Sequence, residues 1–165
     1  MNPDELAPLV RQAQRGDTLA MNDLLDALAP YVGRICAPIA LGHGPDAAQE
    51  ALIAIFKSLK TLRAPEALFS WARTIAVREA VRIARDRRTV PAELDDLPQP
   101  GDPQLETDIE DVLRRLSPEH RAILVLRDQE GYSETEAAAL LLIGTGTVKS
   151  RLHRARRTFR KAWSE

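Results

Sequence analysis

The most basic stretch of the chain has residue types that can read and grip a nucleic acid. Residues 147–161 contain seven lysines and arginines and no acid. If this stretch is a helix, an advance of about 100° per residue puts Val148, Leu152, Ala155 and Phe159 on one stripe. The opposite side then carries polar donors: Lys149, Ser150, His153, Arg154, Arg156, Arg157, Arg160 and Lys161. Such a face can meet base edges near its first turn and phosphates beyond it.

The residues before this helix complete a helix-turn-helix pattern. Ser133 and Glu136 form a capping box that predicts a short helix through Leu141. The turn is then 143–146, and the basic helix begins near Thr147. This arrangement favours binding of duplex DNA. The alternatives are a packing unit without a ligand, a membrane surface and a protein partner; the narrow, mostly aliphatic inner face is typical of a packed helix.

Charge and proline divide the chain into three parts. Residues 57–88 hold nine basic and three acidic side chains, whereas 89–111 hold eight acids and no lysine or arginine. Four prolines and a glycine lie in 89–104, with almost nothing to bury. Helical periodicity dominates elsewhere. The sequence therefore predicts an all-α protein: a module over 1–88, a flexible acidic linker over 89–104, and a second module over 105–165 that contains the helix-turn-helix.

Two helix-start signals position candidate residues. Asp46 with Gln49 reads as a capping box, and Ser117 before Pro118 predicts an N-cap followed by a first-turn proline. An apolar stripe from Leu24 to Ile39 predicts either one kinked helix or two. The long helix after Pro65 is expected to end near Arg88.

Composition excludes several classes of function. The single Cys36 cannot form an intramolecular disulfide and indicates a reducing compartment. The three histidines are too scattered for a metal site, so neither metal nor cofactor is expected. No phosphate loop or catalytic constellation is visible, so we do not expect an enzyme. With no signal stretch and no run of about 18 apolar residues, we expect a soluble cytoplasmic protein without membrane insertion.

Two motifs carry a family resemblance. The segments GYSETEA (131–137) and GTVKSRLHRAR (146–156) resemble region 4 of bacterial extracytoplasmic-function (ECF) sigma factors, and LSPEHR (116–121) is similar to the opening of that region. The first module resembles region 2 at Arg15-Gly16-Asp17, at Asp46 with Gln49-Glu50, at Trp71 with Ile75-Ala76, and at Arg85, Arg87 and Arg88. The resemblance implies binding to core RNA polymerase, promoter DNA and an anti-sigma protein.

The resemblance also implies roles for individual residues. The second module would bind the minus-thirty-five element: Lys149, Ser150 and His153 would read bases, and Arg127, Thr147, Arg154 and Arg157 would grip the backbone. The first would open the minus-ten element with a loop from Leu62 to Ala67 that captures a flipped base, and with Arg63, Arg73, Arg78, Arg82 and Arg85. Asp46, Gln49 and Glu50 would dock on polymerase. Trp71 is expected in the core.

Departures from the family pattern leave two alternatives open. Val77-Arg78 stand where Arg-Asn is usual, and Arg82 where an acid is usual. Phe56 replaces a usual tryptophan, and Leu142 a usual glycine. One alternative is a sigma-like mimic that titrates an anti-sigma protein without directing transcription. The other is a stand-alone helix-turn-helix regulator, which would leave 1–88 without a role.

Overall fold

The computed structural model describes residues 2–88 and 105–164, and within those ranges every regular element is helical. The predicted all-α class is confirmed. The predicted linker over 89–104 lies outside the described residues. The first helical group consists of α1 (Pro3–Gln14), α2 (Thr18–Ala40), α3 (Gly44–Ser58) and α4 (Leu68–Arg88). The second helical group consists of α5 (Leu105–Arg114), α6 (Pro118–Leu124), a π-helical turn (Val125–Gln129), α7 (Glu134–Leu141) and α8 (Thr145–Trp163).

Helix α2 is the centre of the first group. It packs against α1, α3 and α4, and it continues as one helix through Pro30 and Pro38. Its side chains at Leu24, Leu28 and Ile35 are fully buried. Asp17 caps its start by accepting a hydrogen bond from the amide of Ala20. The predicted apolar stripe is therefore one helix, not two.

The hydropathy of this region requires a correction. The stretch Thr18–Thr61 contains an 18-residue window with a mean hydropathy of 1.4, enough by length and composition for a membrane span. The expectation that no stretch approaches a span was therefore too strong. A core helix of a soluble protein passes the same test, and Leu24, Leu28 and Ile35 of α2 are buried against neighbouring helices.

The predicted capping box at Asp46 is wrong. Helix α3 begins at Gly44 with Pro45 in its first turn, and Asp46 lies inside that turn instead of capping it. A Cβ atom at Gly44 would come within 3.2 Å of the Cα atom of Ala37, so glycine allows α3 to start against α2. The physical reason is this close backbone approach, which has no signature in local sequence.

The capping signals of the second group are confirmed. The Ser117 hydroxyl accepts a hydrogen bond from the amide of His120, and Pro118 is the first residue of α6. Ser133 and Glu136 form the predicted reciprocal capping box of α7. Helix α8 begins two residues earlier than expected, at Thr145, after an N-cap at Gly144.

The two helical groups share one hydrophobic core. Buried residues of α2 and α4 form a continuous cluster with Ala122, Val125 and Leu126 of the second group and with Val148 of α8. Helix α6 contacts both α2 and α4. The two groups are therefore packed against each other in this structure.

The turn between α7 and α8 stores backbone strain at Leu142. This residue has φ +58° and ψ +43°, the left-handed conformation that favours glycine. Its side chain is 80% exposed, so packing does not compensate for the strain. The conformation ends α7, since the Leu142 amide donates to the Ala138 carbonyl.

Replacement of Leu142 by glycine should therefore stabilise the protein. We expect Leu142→Gly to raise the free energy of unfolding by about 1 kcal/mol because it removes the left-handed penalty of a side chain. Urea denaturation measures the change. The matched control is Ala139→Gly in the exposed interior of α7, which should lose about 1 kcal/mol. Equal destabilisation by both substitutions would contradict the assignment of strain.

Candidate nucleic-acid interface

Helix α8 presents the predicted polar face to solvent. Val148, Leu152 and Ala155 are buried against α6 and α7. The residues of this helix that were predicted to contact the upstream element are all exposed: Thr147, Lys149, Ser150, His153, Arg154 and Arg157. The periodicity argument is confirmed at this helix, and no element of the described residues covers this face.

The electrostatics of this face favour a polyanion. Lys149 has a 3.8 Å ion pair with Glu134, but its side chain is 67% exposed. In α6, which packs against α8, burial lowers the pKa of His120, and the nearby Arg151 and Arg154 of α8 lower it further. His120 is therefore neutral at pH 7, and the guanidinium groups supply the positive potential.

Arg127 is placed differently from the other predicted upstream contacts. It lies half-buried in the π-helical turn, and its Nη1 atom donates to the Tyr132 carbonyl. Its Nε atom is buried without a hydrogen-bond partner. Arg127 therefore stabilises the loop before α7 and is not part of the basic face of α8.

The predicted strand-capture loop is held in place by α1. The Gln14 amide group donates to the Leu59 and Leu62 carbonyls at 2.9 and 2.8 Å. The Leu62 side chain is only 6% exposed and packs in the core, so it is not available to a base in this conformation. Arg63 beside it is exposed. Sequence reasoning missed Gln14 because a lone glutamine has no motif.

The arginines of α4 do not form one free surface. Arg82 is held by the carboxylates of Glu79, Asp86 and Glu50, with the shortest nitrogen–oxygen distance, 2.7 Å, to Glu79. The other three predicted contacts, Arg73, Arg78 and Arg85, bind the second helical group. Trp71 is half-buried and packs against the core, as expected.

Arg78 and Arg85 join α4 directly to the helix-turn-helix. The guanidinium of Arg78 donates twice to the Leu140 carbonyl, at 3.2 and 2.9 Å, in the last turn of α7. A cation at that position also complements the negative end of the helix dipole. Arg85 donates to the Glu119 carboxylate. Burial opposes ionisation of Glu119, but hydrogen bonds from its backbone and from Arg85 leave its pKa below the usual value.

Arg73 contacts a tyrosine of each helical group. It donates to the Tyr31 hydroxyl at 2.6 Å, and its guanidinium carbon lies 4.7 Å from the centre of the Tyr132 ring. The Nε atom of Arg73 also lies 3.8 Å from the Oε1 atom of Glu130. The side chains of Arg73 and Glu130 are only 17% and 15% exposed.

Arg121 makes a further contact between the groups, and no motif predicts it. Among the residues whose burial the structure describes, it is the buried charged side chain, 7% exposed. Its Nε atom donates to the Ile39 carbonyl of α2 at 2.8 Å, and its Nη1 atom donates to the carbonyls of Leu113 and Leu116. One cation therefore satisfies the C-terminal ends of two helices, one in each group.

The predicted docking residues lie on the outer face of α3. Asp46, Gln49 and Glu50 are exposed, and Asp46 pairs with Arg87 at 3.4 Å. The same face continues with two exposed apolar residues that the sequence analysis did not assign, Ile53 and Phe56; Phe56 is 54% exposed. The helical spacing of 49, 53 and 56 could have found them.

Comparisons of the sequence with known families and proteins point to one class. The family model described as sigma-70, region 4 matches residues 106–159. The ECF RNA polymerase sigma-E factor of Escherichia coli K12 is 28% identical over 169 aligned positions, covering 90% of this chain and 88% of that protein. The protein of the same name from Haemophilus influenzae is also 28% identical, covering 90% and 89%.

Solved structures agree on the fold. The sigma factor RpoE of Bartonella quintana, in complex with the anti-sigma factor NepR, superposes with a TM-score of 0.66 at 22% identity, covering 87% of this chain and 96% of that one. CnrH in complex with the cytosolic domain of CnrY gives a TM-score of 0.63 at 21% identity, covering 94% of each chain. At these identities the likeness concerns the fold.

Proposed function

We infer that this chain, which belongs to the extracytoplasmic-function sigma factors, binds core RNA polymerase and directs promoter-specific initiation of transcription. Residues 1–88 are the polymerase-docking and minus-ten module, 105–165 the minus-thirty-five module, and 89–104 the linker. Initiation is carried out by the polymerase, so this chain is a regulator without its own enzymatic activity. It works in the cytoplasm, where polymerase and promoter meet.

The observation that carries this proposal is the exposed polar face of α8. Its donors stand opposite a buried stripe of Val148, Leu152 and Ala155, so the helix can enter a groove without leaving its own core. Lys149, Ser150 and His153 are near the helix start, where base edges come within reach. Each well-placed base contact is worth on the order of 1–3 kcal/mol of discrimination.

Polymerase would be held by the outer face of α3. Asp46, Gln49 and Glu50 supply polar contacts, and Ile53 and Phe56 supply apolar area beside them. Polymerase would then fix the spacing of the two modules and raise the effective concentration of the second DNA site once the first is bound.

An anti-sigma protein is the regulatory partner that we propose. One similar structure contains the sigma factor RpoE bound to the anti-sigma factor NepR, and the other contains CnrH bound to the cytosolic domain of CnrY. Such a partner would keep the chain from polymerase until a signal releases it.

Run-off transcription with core polymerase and promoter-containing genomic fragments tests the proposed function. The full chain should give discrete transcripts that core polymerase alone does not give. Capture of an anti-sigma protein without any transcript would favour the mimic. Operator binding and regulation without core polymerase would favour a stand-alone regulator.

Two classes of contact on α8 should behave differently. We expect Lys149→Ala and His153→Ala to change the preferred upstream sequence, since base contacts specify. Arg154→Ala should instead weaken binding about equally for all sequences and reduce its salt dependence, because a phosphate contact releases counterions. Selection from a randomised upstream element, at two salt concentrations, separates the two. An unchanged preference in both of the first two variants would contradict base reading.

A further inference from the structure

The second helical group covers the side of α4 that carries three of the four predicted minus-ten residues of this helix. Arg73, Arg78 and Arg85 each contact it, through Tyr132 and Glu130, the Leu140 carbonyl, and Glu119. A groove lined by Trp71, Thr74 and Arg78 on α4 is closed on its other side by Tyr132, Glu136 and Ala139. The exposed polar face of α8 takes no part in these contacts.

We propose that the second helical group is an intramolecular competitor for the minus-ten strand: the packed chain leaves α8 open to duplex DNA and closes α4 to single-stranded DNA. The inference rests on the proposed function, because it takes α4 as the strand-binding helix. It adds a regulatory property of the free chain: the surface that binds duplex DNA is open, while the surface that binds single-stranded DNA is covered.

The chemistry of the covering surface supports competition instead of simple packing. Glu119 pairs with Arg85, and Glu130 pairs with Arg73. Hydrogen bonds from Ser133 lower the pKa of Glu136 on the same wall, and the positive charge of nearby Arg73 lowers it further. Carboxylates of the second group therefore stand beside the guanidinium groups that phosphates would need. A strand cannot use those groups until the acids have moved away.

Hydrogen bonding at Arg78 gives the same conclusion. Two of its donors are used by the Leu140 carbonyl, which is in the last turn of α7 and has no partner within that helix. When a strand takes Arg78, this carbonyl needs water instead. Strand binding and group packing therefore compete for these donors of Arg78, and linkage requires each to weaken the other.

The test uses the free full-length chain and a pair of charge-matched variants. Glu119→Gln/Glu130→Gln removes two acids that contact α4, and Glu110→Gln/Asp111→Asn removes two acids of α5 that do not. The probes are a fluorescein-labelled single-stranded 20-mer of mixed sequence and its duplex. We expect the contact variant to bind the single strand about tenfold more tightly than its control, because a larger fraction of chains is open. Duplex affinity should differ less than twofold.

Opening is measured separately by electron–electron resonance between spin labels at Lys60→Cys and Lys161→Cys, one in each group. Native Cys36 does not interfere, since it is fully buried and burial raises the pKa of its thiol to about 12. The contact variant should show a larger long-distance population than its control, and adding the single strand should increase that population in the wild-type chain.

Two results would overturn the inference. One is a longer distance without any gain in single-strand affinity, which would mean that the packed group does not shield α4. The other is an unchanged distance between the two spin labels in both Glu119→Gln/Glu130→Gln and Arg121→Met. The second variant removes the buried arginine that contacts both groups. Failure of the proposed function has a different signature: no transcript from the wild-type chain with core polymerase, a measurement that does not enter the strand assay.

Discussion

Substitution of Arg121 by methionine is expected to lower the free energy of unfolding by about 3 kcal/mol, because buried carbonyls lose a charged donor. The affected carbonyls belong to Ile39 in the first group and to Leu113 and Leu116 in the second. Methionine has a similar length, so the lost stability comes from the missing charge and hydrogen bonds more than from lost packing. The midpoint and the slope of urea denaturation measure it.

The Arg121 prediction has a matched control in the same region. Arg114→Met removes an exposed guanidinium whose partner is Glu110 within α5, at 3.1 Å. An exposed pair of this kind contributes less than about 1 kcal/mol. If both variants lost the same stability, the inter-group role of Arg121 would be contradicted. A biphasic transition confined to Arg121→Met would agree with it, since the groups would then unfold separately.

Local features of the fold could be predicted from the sequence, whereas the packing of the two groups could not. The caps at Ser117 and at Ser133 and the buried stripe of α8 depend on residues three or four positions apart. The Arg121 contact joins it to a backbone carbonyl 82 residues away. A main-chain acceptor is the same for every residue type, so no side-chain pattern marks it.

The predicted minus-ten residues show a second property that the sequence does not reveal, which is whether a basic side chain has a partner within the chain. The family resemblance implies that Arg73, Arg78 and Arg85 contact the minus-ten strand. The structure gives each of them a partner within the chain. Composition predicts that a guanidinium needs a negative or polar partner, but not whether the chain supplies it. Leu62 differs, since its side chain fills the core beneath the loop that Gln14 holds.

The docking face of α3 leads to the second large effect. Phe56 is 54% exposed beside Ile53, on the same face as Gln49. An exposed aromatic residue within a mixed polar and apolar face is typical of an interface hot spot. We expect Phe56→Ala to weaken binding of core polymerase by about 2–4 kcal/mol, which is roughly 30- to 1,000-fold in the dissociation constant.

The control for Phe56 is another exposed apolar residue of the first group. Leu19 in α2 is 69% exposed, and Leu19→Ala removes exposed apolar surface from a helix other than α3. Fluorescence titration with core polymerase should give a wild-type dissociation constant for Leu19→Ala, and thermal unfolding should show both variants folded. Because Phe56 contributes little to the core in the free chain, a folded variant that still bound polymerase at wild-type affinity would place the docking face elsewhere. The polar residues Asp46, Gln49 and Glu50 would then have only a structural role at the start of α3, where Asp46 already favours the helix dipole.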